Sequence, residues 1–215
     1  MTRHPPTALP PGIAASIAPE ALQALPIRRY EGPIRLVDTP EHLDEAVRDF
    51  ADEGVVGFDT ETRPAFRVGE RYLPSLVQLA TARAVYLFQV QQADFSAAIR
   101  EVLASHRVAK AGVSVSHDLK MLKEVFPFEP QRVVDLGRVA KRHGIAQSGV
   151  RNLAGILLGV RIPKGGSTSN WAARTLTPAQ MGYAATDAWV CRELYLRLES
   201  LGLTESPDGS KVRNP

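Results

Sequence analysis

The sequence predicts a single α/β domain in which helices flank a mixed β-sheet. A chain of 215 residues suits one domain with a sizeable core. Strand-like and helix-like segments alternate along it, and two of the strands are separated by a turn short enough to predict a β-hairpin. Most strands come early and the second half is mostly helical, which favours a mixed sheet flanked by helices.

Five short apolar segments are predicted to form the strands. IRLVD is the first, VVGFDTE is a buried strand that ends in two acids, SLVQLAT and AVYLFQV form the hairpin, and RVAKAGVSV is the fifth. The predicted strands therefore cover residues 34–38, 55–61, 75–81, 84–90 and 107–115.

Capping residues set the ends of the predicted helices. Thr39 and Pro40 begin one helix as N-cap and first helical residue, and Thr177 with Gln180 forms a capping box before the last helix. Gly159 is a natural C-terminal cap. The predicted helices cover residues 39–52, 93–104, 118–126, 132–144, 150–159 and 178–201, with one more helical turn at 20–25.

Both ends of the chain are expected to lie outside the folded domain. Residues 1–30 are rich in Pro and Ala and predict a flexible N-terminal arm, whereas residues 204–215 are polar and predict a disordered tail. The folded domain should then span residues 31–203. With one cysteine, Cys191, no signal pattern and no apolar run of membrane-spanning length, we expect a cytoplasmic protein.

Charge is spread unevenly along the chain. Residues 100–174 hold 13 Lys and Arg against 5 Asp and Glu, a net charge of +8, whereas the whole chain carries +3. A basic segment favours a polyanionic partner, because neutralised phosphates release counterions. It is equally compatible with a solvated surface, and composition alone leaves both interpretations open.

Four acids lie at strand ends or on the inward face of a helix. Asp59 and Glu61 are two positions apart in a strand, so their side chains point to the same side. Asp118 lies at a strand-to-helix junction, where an acid also favours the helix dipole. Asp187 lies on the apolar stripe of the last helix and shares a face with Tyr183, one turn earlier.

Each acid alone has a structural explanation, as a solvated strand end, a helix-dipole partner or a buried ion pair. Together, four carboxylates with no matching set of Lys or Arg predict a divalent-cation site with oxygen ligands, which suits Mg²⁺ or Mn²⁺. One cysteine and scattered histidines disfavour zinc. Two such ions beside a basic segment suit phosphodiester hydrolysis.

Three ordered motifs carry a resemblance to a known family. They are FDTE at 58–61, AGVSVSHDLKML at 111–122 and YAATDA at 183–188, and the SNW loop before the last helix and the LVQLAT and YLFQV hairpin accompany them. With these motifs, residues 33–200 resemble the DEDDy branch of the DnaQ-like 3′–5′ exonucleases, of the ribonuclease D and Werner-helicase exonuclease-domain type. The resemblance implies an RNase H-like sheet.

The resemblance also implies a role for each motif residue. Asp59, Glu61 and Asp187 would bind one Mg²⁺ or Mn²⁺ ion, with Asp59 bridging to a second ion that Asp118 helps to hold. Tyr183 would orient the attacking water.

The function implied is a two-metal-ion 3′–5′ exonuclease that releases 5′-nucleoside monophosphates from the 3′ end of DNA or RNA, largely irrespective of sequence. Two alternatives are a catalytically silent nucleic-acid-binding module of the same fold and a hydrolase of very short oligonucleotides. The chain shows neither the helical binding domains of ribonuclease D nor a helicase, so we expect an isolated catalytic domain. The sequence does not choose between DNA and RNA.

Further residues are candidates for substrate binding. Thr60 would offer its backbone to the terminal sugar. His117 would contact the scissile phosphate or simply lie at the surface. Lys164, with the glycines at 165–166, would form a mobile flap or a plain loop. Trp171 would stack on a base or be buried under the last helix.

Three cations fall close together on one predicted helix. Arg138, Lys141 and Arg142 are one to four residues apart, so they can form a phosphate track or a solvated helix face.

Overall fold

A computed structural model describes residues 9–91, 95–165 and 169–204. The strands are β1 (Ile34–Leu36), β2 (Val55–Thr62), β3 (Pro74–Ala80), β4 (Val85–Gln89), β5 (Ala109–Gly112) and β6 (Val133–Asp135). The helices are α1 (Pro19–Ala24), α2 (Pro40–Asp52), α3 (Ser96–Ala104), α4 (Val115–Leu122), α5 (Leu136–Arg142), α6 (Val150–Leu153) and α7 (Pro178–Ser200), and a π-helical turn (Ala154–Leu158) continues α6.

The six strands form one mixed sheet in the order β1-β4-β3-β2-β5-β6. Neighbouring pairs β2 with β3 and β3 with β4 are antiparallel, whereas β1 with β4, β2 with β5 and β5 with β6 are parallel. The predicted mixed sheet and its hairpin are therefore confirmed. β2, which carries the first two acids, lies inside the sheet between an antiparallel and a parallel neighbour.

The two faces of the sheet bury different helices, because successive side chains of a strand point to opposite sides. On one face, Phe58 of β2 packs with residues of α2, α3 and α4 such as Phe50, Leu103 and Leu119. On the other face, α7 covers β3 and β4 through small residues that include Ala184 and Ala188. The site lies where α7 crosses β2.

The crossing of α7 over β2 is unusually close. A Cβ atom at Gly57 would lie 1.9 Å from the backbone oxygen of Ala188, so only glycine fits there. A largely buried ion pair between Arg192 of α7 and Glu53 (N–O distance 3.2 Å) ties the helix to the segment before β2. Helix α7 is therefore held against the strand that carries Asp59.

Helix ends follow the capping signals closely. Thr39 accepts a hydrogen bond from the backbone N–H of His42, and Thr177 and Gln180 form the expected capping box. Gly159 ends the π-helical turn in a left-handed conformation (φ +66°). These predicted ends are confirmed.

The prediction of a helix over residues 132–144 is wrong in its first part. Val133–Asp135 forms the edge strand β6, and the helix begins only at Leu136, with Asp135 accepting a hydrogen bond from Arg138 N–H (3.1 Å). Two β-branched residues next to an available strand edge favour the extended form. Similarly, the fifth strand ends at Gly112, so α4 starts at Val115, earlier than predicted.

The predicted helical turn near residues 20–25 is confirmed as α1. We call residues 9–30 the N-terminal segment. The rest of the expected arm, residues 1–8, and nearly all of the expected tail, residues 205–215, lie outside the described residues. No helix in the described ranges has the length and apolar character needed to cross a membrane.

Candidate active site

Three carboxylates meet where α7 crosses β2. Asp59 and Glu61 project from β2 on the same side, and Asp187 comes from α7. One oxygen of each lies within 4.8 Å of the others, and each residue is half-buried. Within the described ranges, this is the one group of three or more Asp, Glu, His or Cys residues close enough to share an ion.

The fourth acid, Asp118, lies beside this group on α4. Thr60 donates a hydrogen bond from its hydroxyl to the Asp118 carboxylate (2.9 Å), so a residue between the two β2 acids fixes the fourth. Asp118 is close enough to raise the pKa of Asp59 and Glu61 by charge repulsion. The structure therefore brings together all four acids that the sequence singled out.

The pKa values of the carboxyl groups are shifted upwards. Burial raises the pKa of Asp59 well above its usual range, and repulsion from Asp187, Glu61 and Asp118 adds to it. Burial and repulsion from Asp187 and Asp118 raise the pKa of Glu61 to about 8. Such a set of half-buried oxygen donors with excess negative charge fits a divalent cation, whose charge would remove the repulsion.

Asp187 has two partners that favour its charged form. Burial raises the pKa of Asp187 to about 6, while a hydrogen bond from Tyr183 and the positive charge of Arg151 lower it. The hydroxyl of Tyr183 has a raised pKa, because burial and the neighbouring carboxylates disfavour the phenolate. Tyr183 therefore stays protonated at neutral pH and donates to Asp187.

Trp171 supports Tyr183 from the core. Its side chain is fully buried, and its ring centroid lies 6.1 Å from that of Tyr183. Of the two roles expected for this residue, burial under the last helix is the one the structure shows. In this position, the indole is covered by protein and is not available to stack on a base.

A cleft of about 780 Å³ opens beside the carboxylates. This volume is within the range of sites that hold a nucleotide-sized ligand. Its lining includes Arg29, Lys164, Asn170, Gln180, Tyr183 and Asp187.

The remaining candidates from the sequence lie around this site. Lys164 is exposed and lines the cleft, whereas Gly166 of the expected flap lies outside the described residues. His117 is exposed and adjoins Asp118, where its charge opposes the rise that burial causes in the pKa of Asp118.

The three cations of α5 line a separate cleft of about 630 Å³. Arg138, Lys141 and Arg142 share it with Ser116 and Asp135. Because Asp135 also raises the pKa of Asp118, this basic cleft lies on the Asp118 side of the site.

One residue near the carboxylates was not found from the sequence. Arg151 of α6 lies close enough to Asp187 to lower its pKa. It falls within the basic segment, but no spacing links it to any of the acids, so only the folded chain shows the contact.

Comparison with known proteins gives matches over most of the chain. The family model described as 3′–5′ exonuclease matches residues 34–202. An exonuclease mut-7 homolog of Aedes aegypti is 27% identical over 85% of this chain and 28% of its own length. Ribonuclease D of Haemophilus influenzae is 33% identical over 75% of this chain and 40% of its own length. The chain thus spans less than half the length of these relatives.

The fold has close counterparts among solved structures. The Nibbler EXO domain of Aedes aegypti superposes with a TM-score of 0.71 at 25% sequence identity. The match covers 86% of this chain and 96% of that domain.

Proposed function

Because this chain belongs to the 3′–5′ exonuclease family, we propose that it is a two-metal-ion nuclease that removes 5′-nucleoside monophosphates from the 3′ end of DNA or RNA. The observation that carries the proposal is the convergence of Asp59, Glu61 and Asp187 within 4.8 Å, with Asp118 beside them. We assign the catalytic domain to residues 31–203, and the family-model match to residues 34–202 supports this assignment.

Asp59, Glu61 and Asp187 would hold one Mg²⁺ or Mn²⁺ ion, and Asp59 and Asp118 would hold a second. When bound, such ions would supply an activated water and offset the negative charge that gathers on the phosphoryl oxygens. The chain supplies the ligands already in place, because β2 fixes two of them and α7 is held against that strand by its contacts with Gly57 and Glu53. Little reorganisation is then needed for reaction.

Tyr183 orients the attacking water. Its hydroxyl donates a hydrogen bond to Asp187, so the lone pairs of the phenol oxygen are left to accept a hydrogen bond from a water molecule in the cleft. Its raised pKa means that it acts as a positioning group and not as a base. The packing of its ring near buried Trp171 limits its motion.

The substrate strand lies in the cleft beside Tyr183. We assign the backbone of Thr60 to the terminal sugar, and its hydroxyl keeps Asp118 in place through a hydrogen bond. His117 and Lys164 are exposed basic residues at the edges of the site. In this proposal, both contact phosphates of the substrate. Contacts of this kind carry little sequence information, so the activity is largely independent of sequence.

The test uses purified protein and 5′-labelled oligonucleotides. Single-stranded DNA, single-stranded RNA and a duplex with a recessed 3′ end are incubated with Mg²⁺, Mn²⁺ or a chelator, and Asp59→Asn serves as the contamination control. We expect a metal-dependent ladder that shortens from the 3′ end and is absent with the variant. Chromatography should identify the product as 5′-nucleoside monophosphate.

Other results would favour the alternatives. Intact binding without cleavage of any strand would indicate a catalytically silent binding module. Preference for dinucleotides with declining rates on longer strands would indicate a hydrolase of very short oligonucleotides.

A further inference from the structure

We infer that the N-terminal segment, residues 9–30, is part of the substrate-binding surface, forming with α6 a second cleft that receives the single-stranded nucleic acid upstream of its terminal nucleotide. This inference rests on the proposed function.

The N-terminal segment is anchored to the domain at two places. Gln147 clamps Ile17, accepting a hydrogen bond from its N–H (2.8 Å) and donating one to its carbonyl oxygen (3.2 Å). Further along, Arg161 N–H donates to Pro26 O (2.8 Å) and Arg28 N–H donates to Arg161 O (3.0 Å). The backbone between these two anchors therefore has a defined path over the domain.

Between the anchors, α1 packs on a glycine. Gly155 is buried in the π-helical turn after α6, and a Cβ atom there would lie 2.7 Å from Leu22 Cδ1 and 3.2 Å from Ile17 Cδ1. Leu25 is the third apolar side chain over this position. These contacts seat α1 on the domain, where it forms one wall of a cleft.

This wall and α6 enclose a cleft of about 720 Å³. The cleft also includes Lys164, Gly165 and Tyr183, which line the catalytic cleft as well, so the two clefts adjoin at the residue proposed to orient the water. A strand whose 3′ end lies at the carboxylates can continue from one cleft into the other.

The chemistry of the second cleft suits a polyanion. Arg151 and Lys164 supply positive charge, Gln23 and Asn152 supply amides, and no Asp or Glu among the described residues lines it. Arg151 also acts on Asp187, so positive charge reaches from the cleft to the catalytic group. The aliphatic side chains of the wall, Ile17, Pro19 and Leu22, offer apolar surface for contact with a ligand.

Charge variants on α1 test this assignment. Gln23 lines the cleft and accepts a hydrogen bond from Arg161 (2.9 Å), which a carboxylate at that position retains, whereas Ala21 is exposed on α1 and does not line the cleft. Gln23→Glu and Ala21→Glu therefore add the same charge to the same helix in two places. The readout is the KM for a single-stranded 12-mer divided by the KM for a dinucleotide.

We expect Gln23→Glu to raise this ratio about three- to five-fold, Gln23→Lys to lower it, and Ala21→Glu to leave it at the wild-type value. Both shifts should shrink at 0.5 M salt. Equal ratios for Gln23→Glu and Ala21→Glu would overturn the inference, and so would a Gln23→Lys variant that raises the ratio. A misfolded protein does not lower a KM, so Gln23→Lys separates charge from damage.

The inference and the proposed function fail in different ways. If the wild-type protein shortens no strand, the proposed function fails. Fluorescence anisotropy with the same labelled 12-mer then still compares the three variants, and equal dissociation constants would overturn the inference by themselves. If the wild-type protein forms ladders and the ratios do not differ, only the inference fails.

Discussion

The contact between Gly57 and α7 gives the sharpest prediction. In Gly57→Ala, the new Cβ atom would start 1.9 Å from Ala188 O and 2.9 Å from Arg192 N, both of them backbone atoms that cannot rotate away. Because Cβ atoms essentially never approach closer than 3.0 Å, α7 and β2 must separate by at least about 1.1 Å. Asp187 moves with α7, while Asp59 stays with the strand.

A displacement of this size has two measurable effects. Misplacing a catalytic group by about 1 Å costs on the order of 10²-fold in rate, so kcat on a single-stranded oligonucleotide should fall about 100-fold. Overpacking of this kind costs about 1–3 kcal/mol of stability, which lowers the Tm by roughly 2–12 °C in a domain of this size. Steady-state kinetics and thermal unfolding followed by circular dichroism measure both.

Gly54→Ala is the matched control. Its added methyl group meets no atom within 4 Å, so kcat and Tm should stay at their wild-type values. If Gly57→Ala retained kcat within three-fold and its Tm within 1 °C, the idea that this contact sets the position of Asp187 would be refuted.

Further predictions concern single side chains. Asp59→Asn and Asp187→Asn should each abolish cleavage. Each should leave the metal-free fold intact or more stable, because repulsion among the carboxylates falls. Retained cleavage by either variant would contradict the assignment. Tyr183→Phe should lower kcat about 10- to 100-fold, since the water loses the group that orients it. KM should change little, because the ring packing is kept. An unchanged kcat would remove Tyr183 from the mechanism. Burial lowers the pKa of Lys110 to about 7. Between pH 7 and 10, the unfolded chain therefore binds a proton at this lysine that the folded chain has released. The free energy of unfolding should then rise with pH, by at most about 1.4 kcal/mol per pH unit from this group. Urea unfolding at pH 7 and 9.5 should show this rise in the wild type and not in Lys110→Met. If the free energy of unfolding changed with pH to the same extent in both proteins, the assignment to Lys110 would be disproved.

The acids of the site were predictable because the signal is local. The alternation of β2 places Asp59 and Glu61 on one side, and the helical period places Tyr183 and Asp187 on one face. Cap residues such as Thr177 then fix where the last helix starts. The three motifs supplied the rest, since they identify which of the many acids belong together.

The features that sequence missed depend on distant partners. β6 is only three residues long and is extended because the edge of β5 is there to pair with it. The seat of the N-terminal segment exists because Gly155 lacks a side chain under Leu22, a fit between residues far apart in the chain. The proximity of Arg151 to Asp187 arises in the same way, since α6 and α7 meet only in the folded domain.

The distribution of the site over β2, α4 and α7 has a consequence for folding. The strand and the two helices that carry its carboxylates are joined by long stretches of chain, and these loops must close before the acids of different elements can meet. Activity should therefore return at the rate of global refolding after dilution from urea. During synthesis, a growing polypeptide therefore lacks the complete set of four carboxylates until α7 has emerged from the ribosome.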